Sequence, residues 1–174
     1  MTEEQSDPLS RAPLRLTLTP LVGVSGMRLG MSVEQAVAAA RAVGLVASGD
    51  DGGDAPGQVL CRHAGSDTRV GLGFVKGALV NIELYRFWVE DADVRVVLDG
   101  LDVFRTPGDE LLERLAELGH RVELNDDDVD MLPDLKVILA NESSYDFPVD
   151  DEGFPLCFDY VLLTSVLFHG PRGD

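Results

Sequence analysis

The chain has 174 residues, of which 45% are hydrophobic, so it is long enough to build one domain with a substantial core. Its 31 acidic and 14 basic residues give a formal net charge of −17, which opposes binding to nucleic acid phosphates and to anionic lipid. No apolar run approaches the ~20 residues of a transmembrane helix. The acidic start, MTEEQSDP, lacks the features of a signal peptide, and with only Cys61 and Cys157 it predicts reduced thiols in the cytoplasm.

The first predicted elements are a strand and a capped helix, which follow a disordered tail over residues 1–12. Residues 14–19 alternate leucine with polar side chains, a pattern typical of a strand. Ser32 with Gln35 three positions later forms a capping box at the start of an alanine-rich helix. Gly44 is predicted to end this helix, since glycine is the usual residue after a helix C-terminus.

Residues 70–84, VGLGFVKGALVNIEL, predict a β-hairpin at the centre of an antiparallel sheet. A two-residue loop of lysine and glycine would pair Leu72 with Asn81, which mixes apolar and polar side chains. A three-residue loop that adds the preceding valine would pair Leu72 with Val80, so hydrophobic matching favours this register. It also places Gly77 where the backbone needs a positive φ. The other face is expected to be thinly covered or solvated, because its side chains are short or polar: Gly71, Gly73, Asn81 and Glu83.

A second capped helix follows in the later part of the chain. Thr106 is predicted as its N-cap, Pro107 as its first helical residue, and Gly119 as the residue that ends it. Further strands are predicted over residues 120–124, 135–140 and 156–164.

The order of helices and strands predicts an α+β fold with a largely antiparallel sheet and two capped helices. We predict a single domain over residues 13–169, followed by a loose tail over 170–174. Two arrangements remain open within it. One is a tandem helix-plus-sheet pseudo-repeat with halves 13–98 and 99–169, and the other is one continuous sheet with both helices on one face.

The sequence contains no motif specific for a metal ion or a cofactor, and we predict neither. Asp126, Asp128 and Asp130 alternate as they do at the start of an EF-hand loop. However, Met131 stands at the required glycine position and Val137 at the required glutamate position. No CxxC or HxxxH pair brings two zinc ligands together locally.

No catalytic residues are predicted either. A nucleophilic site of Cys157, His169 and Asp159 requires the thiol and the imidazole to meet in space, which their positions in the sequence do not establish.

Three stretches of the chain carry a resemblance to known proteins: LGMSVEQAVAAARAVGL, FVKGALVNIELY and LDGLDVFRTPGDELLERLAELGH. With these patterns of capped helix and hairpin, the chain resembles a broad group of acidic, uncharacterised actinobacterial proteins. Some small acidic proteins of this style are immunity proteins, which neutralise toxins. The resemblance implies a protein-binding role and carries over no catalytic residue.

Two functional hypotheses follow from these observations. The first is a non-enzymatic, cytoplasmic protein-binding protein of the immunity type, which engages a basic partner such as a toxin through an acidic face. Its candidate contacts are an aromatic anchor and the carboxylates of two acidic loops: Trp88, Asp126, Asp127, Asp128, Asp130, Asp150, Asp151 and Glu152. The alternative is a small hydrolase or ligand-binding domain with a cleft between sheet and helices, which a cleft gathering Cys157, His169 or His120 would favour.

Overall fold

The fold is α+β, as predicted, and consists of two helices and two mostly antiparallel sheets. The computed structural model describes residues 13–47, 57–124, 129–142 and 147–165. The predicted tails, the aspartates at 126–128 and His169 lie outside these ranges.

The elements are numbered in chain order. The strands are β1 (Leu14–Thr19), β2 (Gly23–Val24), β3 (Met27–Arg28), β4 (Val46–Ala47), β5 (Gln58–His63), β6 (Thr68–Val75), β7 (Ala78–Tyr85), β8 (Val94–Leu98), β9 (Leu101–Asp102), β10 (Glu123–Leu124), β11 (Asp130–Leu132), β12 (Val137–Ala140) and β13 (Tyr160–Thr164). The helices are α1 (Val33–Ala42) and α2 (Gly108–Glu117). The later strands are thus shorter than predicted, and β11 was not predicted at all.

The larger sheet has eight strands in the order β10-β11-β12-β13-β7-β6-β5-β4. Helix α1 is followed by the antiparallel meander β4 to β7, and helix α2 by the antiparallel meander β10 to β13. The last strands of the two meanders, β7 and β13, pair with each other at the centre of the sheet. Both halves of the chain therefore follow the same order, while a duplication as the origin of that order remains a prediction.

The smaller sheet has five strands in the order β3-β2-β1-β8-β9. Its central pair, β1 and β8, is parallel, with Leu14 opposite Val94. The three leucines of β1 are buried and its polar residues are exposed, as the alternation predicted. Apolar side chains from both sheets and both helices form one continuous core. Among the described residues, no helix is long and apolar enough to cross a membrane.

The turn between β6 and β7 has two residues, so the favoured three-residue register was wrong. Val75 pairs with Ala78 across Lys76 and Gly77, which have φ values of 54° and 79°. Two central residues with positive φ are typical of a type I′ turn, whose twist matches that of the flanking strands. The positive φ predicted for Gly77 is confirmed.

A β-bulge explains why neither predicted pairing of Leu72 is observed. Between Gly73 and Phe74 the register shifts, so that Leu72 pairs with Ile82. The extra residue on β7 is Val80, which moves Ile82 onto the same buried face as Leu79. The apolar residues of β7 therefore share a face only because the bulge changes the phase of the alternation.

The two helices begin differently. The capping box of α1 is confirmed, since Ser32 Oγ accepts the Gln35 N–H and Gln35 Oε1 accepts the Ser32 N–H, both at 3.1 Å. The predicted cap of α2 was wrong, because Pro107 is the N-cap and no side chain caps the helix. Instead, the Gly108 N–H donates to the Leu156 carbonyl at 2.8 Å. A later segment of the chain thus satisfies a backbone donor at this helix start.

Candidate functional site

The second acidic loop folds into a short hairpin over residues 148–156, which we call the acidic hairpin. The Asp150 N–H donates to the Phe154 carbonyl at 2.8 Å, and Gly153 has a φ of 88°. The Asp150 carboxylate stabilises the turn, because its Oδ1 accepts the backbone N–H groups of Glu152 and Phe154. The hairpin is therefore ordered by its own backbone and by one carboxylate.

The acidic hairpin exposes both charge and apolar surface. Asp151 and Glu152 are exposed, and the neighbouring Phe154 side chain is 61% exposed. Val149 and Leu156 are also exposed. A group of exposed large apolar residues beside carboxylates is characteristic of a surface that binds another protein.

A cavity of about 220 Å³, which we call the acidic pocket, lies between the start of α2 and the acidic hairpin. It is lined by the three carboxylates of Asp109, Asp130 and Asp150, and no Lys, Arg or His of the described residues lines it. Burial, with a smaller effect from the nearby Asp109 charge, raises the pKa of Asp130. A positively charged group that enters the pocket would therefore stabilise the partly buried carboxylate of Asp130.

A stack of aromatic rings and guanidinium groups connects the acidic hairpin to the core. The guanidinium groups of Arg86 and Arg105 each lie over the Phe87 ring, 4.3 Å from its centroid. Arg86 also lies 5.1 Å from the ring of Phe147, which packs against Trp88 at a centroid distance of 4.6 Å. Phe147 directly precedes the acidic hairpin, so the stack fixes where the hairpin leaves the protein surface.

The position of Arg86 differs from the simple alternation of a strand. Strand β7 ends at Tyr85, so the next residues no longer alternate between two faces. Arg86 is buried. Its guanidinium forms an ion pair with Glu90 at 2.8 Å and donates a hydrogen bond to the Phe104 carbonyl at 3.0 Å. Trp88 is 42% exposed and lies at the surface end of the stack.

A second cavity, of about 400 Å³, opens on the face of the eight-stranded sheet that points away from the core. We call it the aromatic pocket. It combines aromatic, basic and acidic side chains from β5, β6, β7 and the segments beside them: Gln58, Leu60, Arg69, Tyr85, Arg86, Trp88, Glu142, Phe147 and Asp159.

A hydrogen-bond network beside the aromatic pocket lies on the face that was expected to be thinly covered or solvated. Glu83 accepts hydrogen bonds from Tyr160 Oη at 2.7 Å and from Gln58 Nε2 at 3.0 Å. Burial and the Glu83 carboxylate raise the pKa of Tyr85 to about 12. A Cβ on Gly71 would lie 2.8 Å from Gln58 Nε2, so glycine leaves the space in which Gln58 and Glu83 meet.

Of the residues that were expected to favour a hydrolase, Cys157 lines the acidic pocket, and no histidine of the described residues lines that pocket with it. Cys61 is buried, which raises the pKa of its thiol to about 11, and burial also raises the pKa of Cys157. His120 is hydrogen-bonded to Asp99, and His169 lies outside the described residues. Within the same ranges, no three His, Cys, Asp or Glu side chains come together as a metal-binding group.

The structure divides the described candidate contacts into three places. Asp130 and Asp150 meet in the acidic pocket, Asp151 and Glu152 lie on the tip of the acidic hairpin, and Trp88 borders the aromatic pocket. Phe154 was not among the contacts predicted from the sequence. An aromatic residue inside a run of acidic and turn-forming residues has little chance of burial, and this signal could have revealed it.

No protein-family model, curated protein or solved structure matches this chain. The assignment of a function therefore rests on the geometry of its own residues.

Proposed function

We propose that this chain is a non-enzymatic protein-binding protein that engages a basic partner through the acidic hairpin and the acidic pocket beside it. The observation that supports this proposal best is the exposure of Phe154 beside the exposed carboxylates of Asp151 and Glu152 on an ordered turn. Apolar contact and charge are thereby presented on the same small surface, as in many protein interfaces.

Ion pairs within the part of the chain that the structure describes do not neutralise the charges of this surface. Within the described ranges, none of the ion pairs formed by Arg and His side chains involves Asp150, Asp151 or Glu152. Together with the net charge of −17, these carboxylates create a negative field that attracts a basic surface and accelerates association at low salt.

The apolar residues supply the contact that charge alone does not give. Large aromatic side chains contribute more than their share of binding energy at interfaces, because they bury much apolar area at a small entropic cost. Phe154 is the aromatic anchor at the tip of the acidic hairpin. Trp88 packs against Phe147, which directly precedes the hairpin, and is a second exposed aromatic side chain.

We further propose that the partner is a toxin and that the role is of the immunity type, in the cytoplasm. A nucleic-acid-degrading toxin needs a basic cleft for its substrate, and an acidic surface with an aromatic anchor is suited to cover such a cleft.

Capture of partners from the source cell tests the proposal. The parent chain and a tip variant, Asp151→Asn with Glu152→Gln and Phe154→Ala, are each used as bait at low and at high salt. We expect the parent to capture a basic protein at low salt, and the tip variant to capture less of it. The matched control carries Glu34→Gln and Glu117→Gln, which make the same charge change on exposed helix positions. Equal capture by all three baits, or capture of acidic proteins only, would contradict the proposal.

A further inference from the structure

The aromatic pocket brings one aromatic wall and two carboxylates to the same cavity. Its wall is the packed pair of Trp88 and Phe147, whose ring centroids are 4.6 Å apart. Its carboxylates are those of Glu142, which is exposed, and Asp159, which is only 3% exposed. Asp159 Oδ1 accepts the Glu142 backbone N–H at 2.6 Å, and this bond holds the two acidic residues beside each other.

The two arginines of this pocket already have acidic partners. The Arg86 guanidinium lies 2.8 Å from the Glu90 carboxylate, and Arg69 lies 3.6 Å from Asp67, which also pairs with Arg62 at 2.8 Å. Glu142, in contrast, forms no ion pair with any side chain of the described ranges. Glu142 is therefore the carboxylate of this pocket with which an incoming cation can pair.

We propose that the aromatic pocket receives a guanidinium group, namely an arginine side chain of the basic partner; this inference rests on the proposed protein-binding function. A guanidinium is flat, stacks on aromatic rings and donates paired hydrogen bonds to a carboxylate. The protein already uses this contact, because Arg86 and Arg105 both lie on the face of the Phe87 ring. In the pocket, Trp88 and Phe147 supply the ring surface and Glu142 supplies the opposite charge.

The volume of the cavity fits this occupant better than it fits a single bound ion. About 400 Å³ lies within the range of pockets that hold small organic ligands, and it leaves room for an arginine with part of its flanking backbone. The pocket opens on the outer face of the sheet, where a partner that contacts the surface end of the stack at Trp88 can reach it.

Fluorescence of Trp88 reports on this pocket directly, because the chain contains one tryptophan. The probe is the blocked tripeptide acetyl-Gly-Arg-Gly-amide, titrated into the full chain at low salt. Its matched control replaces arginine by citrulline, which keeps the shape of the side chain and removes the charge. We expect a saturable change in fluorescence with the arginine peptide, and binding weaker by roughly tenfold or more with the citrulline peptide.

Two variants separate this inference from the proposed function. Glu142→Gln should weaken binding of the arginine peptide by roughly tenfold. The substitution removes the carboxylate charge and keeps the backbone N–H that donates to Asp159. Asp151→Asn with Glu152→Gln, on the acidic hairpin, should leave peptide affinity within about twofold, because an exposed charge outside the pocket is screened by solvent and salt.

Three outcomes would overturn the assignment of the pocket: no saturable change, equal affinity for the citrulline peptide, or preference for acetyl-Gly-Glu-Gly-amide, which would show that the pocket arginines bind an anion. The proposed function would survive any of these, provided that the tip variant still captures less of the basic partner than the parent does.

Discussion

The two halves of the eight-stranded sheet follow the same order of elements but use the chain differently. In the first half, β5, β6 and β7 have 6, 8 and 8 residues, and a two-residue turn joins the last two. In the second half, β11, β12 and β13 have only 3, 4 and 5 residues. The chain between β12 and β13 instead contains the acidic hairpin.

This difference shows how one arrangement can provide both support and a binding surface. Long paired strands keep their backbone polar groups satisfied within the sheet and offer few places for a partner. Short strands leave chain length for connections, and binding residues are concentrated on connections that a rigid sheet positions. The first half therefore supplies the long paired strands and one wall of the aromatic pocket, and the second half presents the acidic hairpin with its exposed Phe154.

The largest expected effect compares one buried leucine in each half. Leu72 on β6 and Leu139 on β12 are both fully buried. We expect Leu72→Ala to lower the free energy of unfolding by about 3–5 kcal/mol and Leu139→Ala by about 2–3 kcal/mol, because shorter strands relax more easily around a cavity. Chemical denaturation measures both values, and an equal or larger loss at Leu139 would contradict the comparison.

The next effect concerns the tight turn that joins β6 and β7 in the first half. Gly77→Val should lower the free energy of unfolding by about 1–3 kcal/mol, because a β-branched residue is strained at a φ of 79°. The control is Lys76→Asn, which creates the Asn-Gly pair preferred in type I′ turns and should change stability by less than about 0.5 kcal/mol. Thermal unfolding of both variants checks this, and a harmless Gly77→Val would show that the turn differs from the one described.

The helix starts give a third and smaller comparison. Ser32→Ala removes the capping box of α1 and should cost about 1 kcal/mol of stability. Thr106→Ala should stay within about 0.5 kcal/mol of the parent, because Thr106 does not cap α2. Similar losses in both variants, measured by urea unfolding, would mean that Thr106 does stabilise the second helix.

The smallest effect concerns the acidic pocket and depends on pH. Because the pKa of Asp130 is raised on folding, the folded state binds more protons than the unfolded state just above the ordinary pKa of an aspartate. Stability is therefore lost as the pH rises through this interval, and Asp130→Asn should be more stable than the parent at pH 7. The gain should vanish well below about pH 4, where the unfolded carboxyl is also protonated. Unfolding at both pH values checks this, and a less stable variant at pH 7 would contradict the described pocket.

Local patterns in the sequence predicted much of the first half. The alternating leucines of β1 and the capping box at Ser32 act over a few residues, and both are confirmed. The predicted register of the β6–β7 hairpin was wrong. The bulge at Val80 shifts the pairing by one residue, so Ile82 is buried even though the turn has only two residues. A bulge breaks the rule of alternation on which the prediction depended.

The binding surface depended more on contacts distant in sequence. Asp130 and Asp150 were predicted as separate acidic candidates, and the structure places both in a pocket with Asp109. The helix start was missed because its backbone donor is satisfied by Leu156, far along the chain. No local pattern reveals such a contact, and for the same reason the stack behind Trp88 was not foreseen.

The association rate constant of the captured basic partner shows whether the acidic hairpin is the surface that engages it. It is measured at low and at high salt for the parent, the tip variant and the charge-matched helix variant. We predict that the tip variant associates roughly tenfold more slowly than the parent at low salt, with a difference that shrinks at high salt, because nearby complementary charges steer association. The helix variant should lie close to the parent. Equal slowing by both variants would contradict the account, since it would mean that only the total charge of the molecule matters.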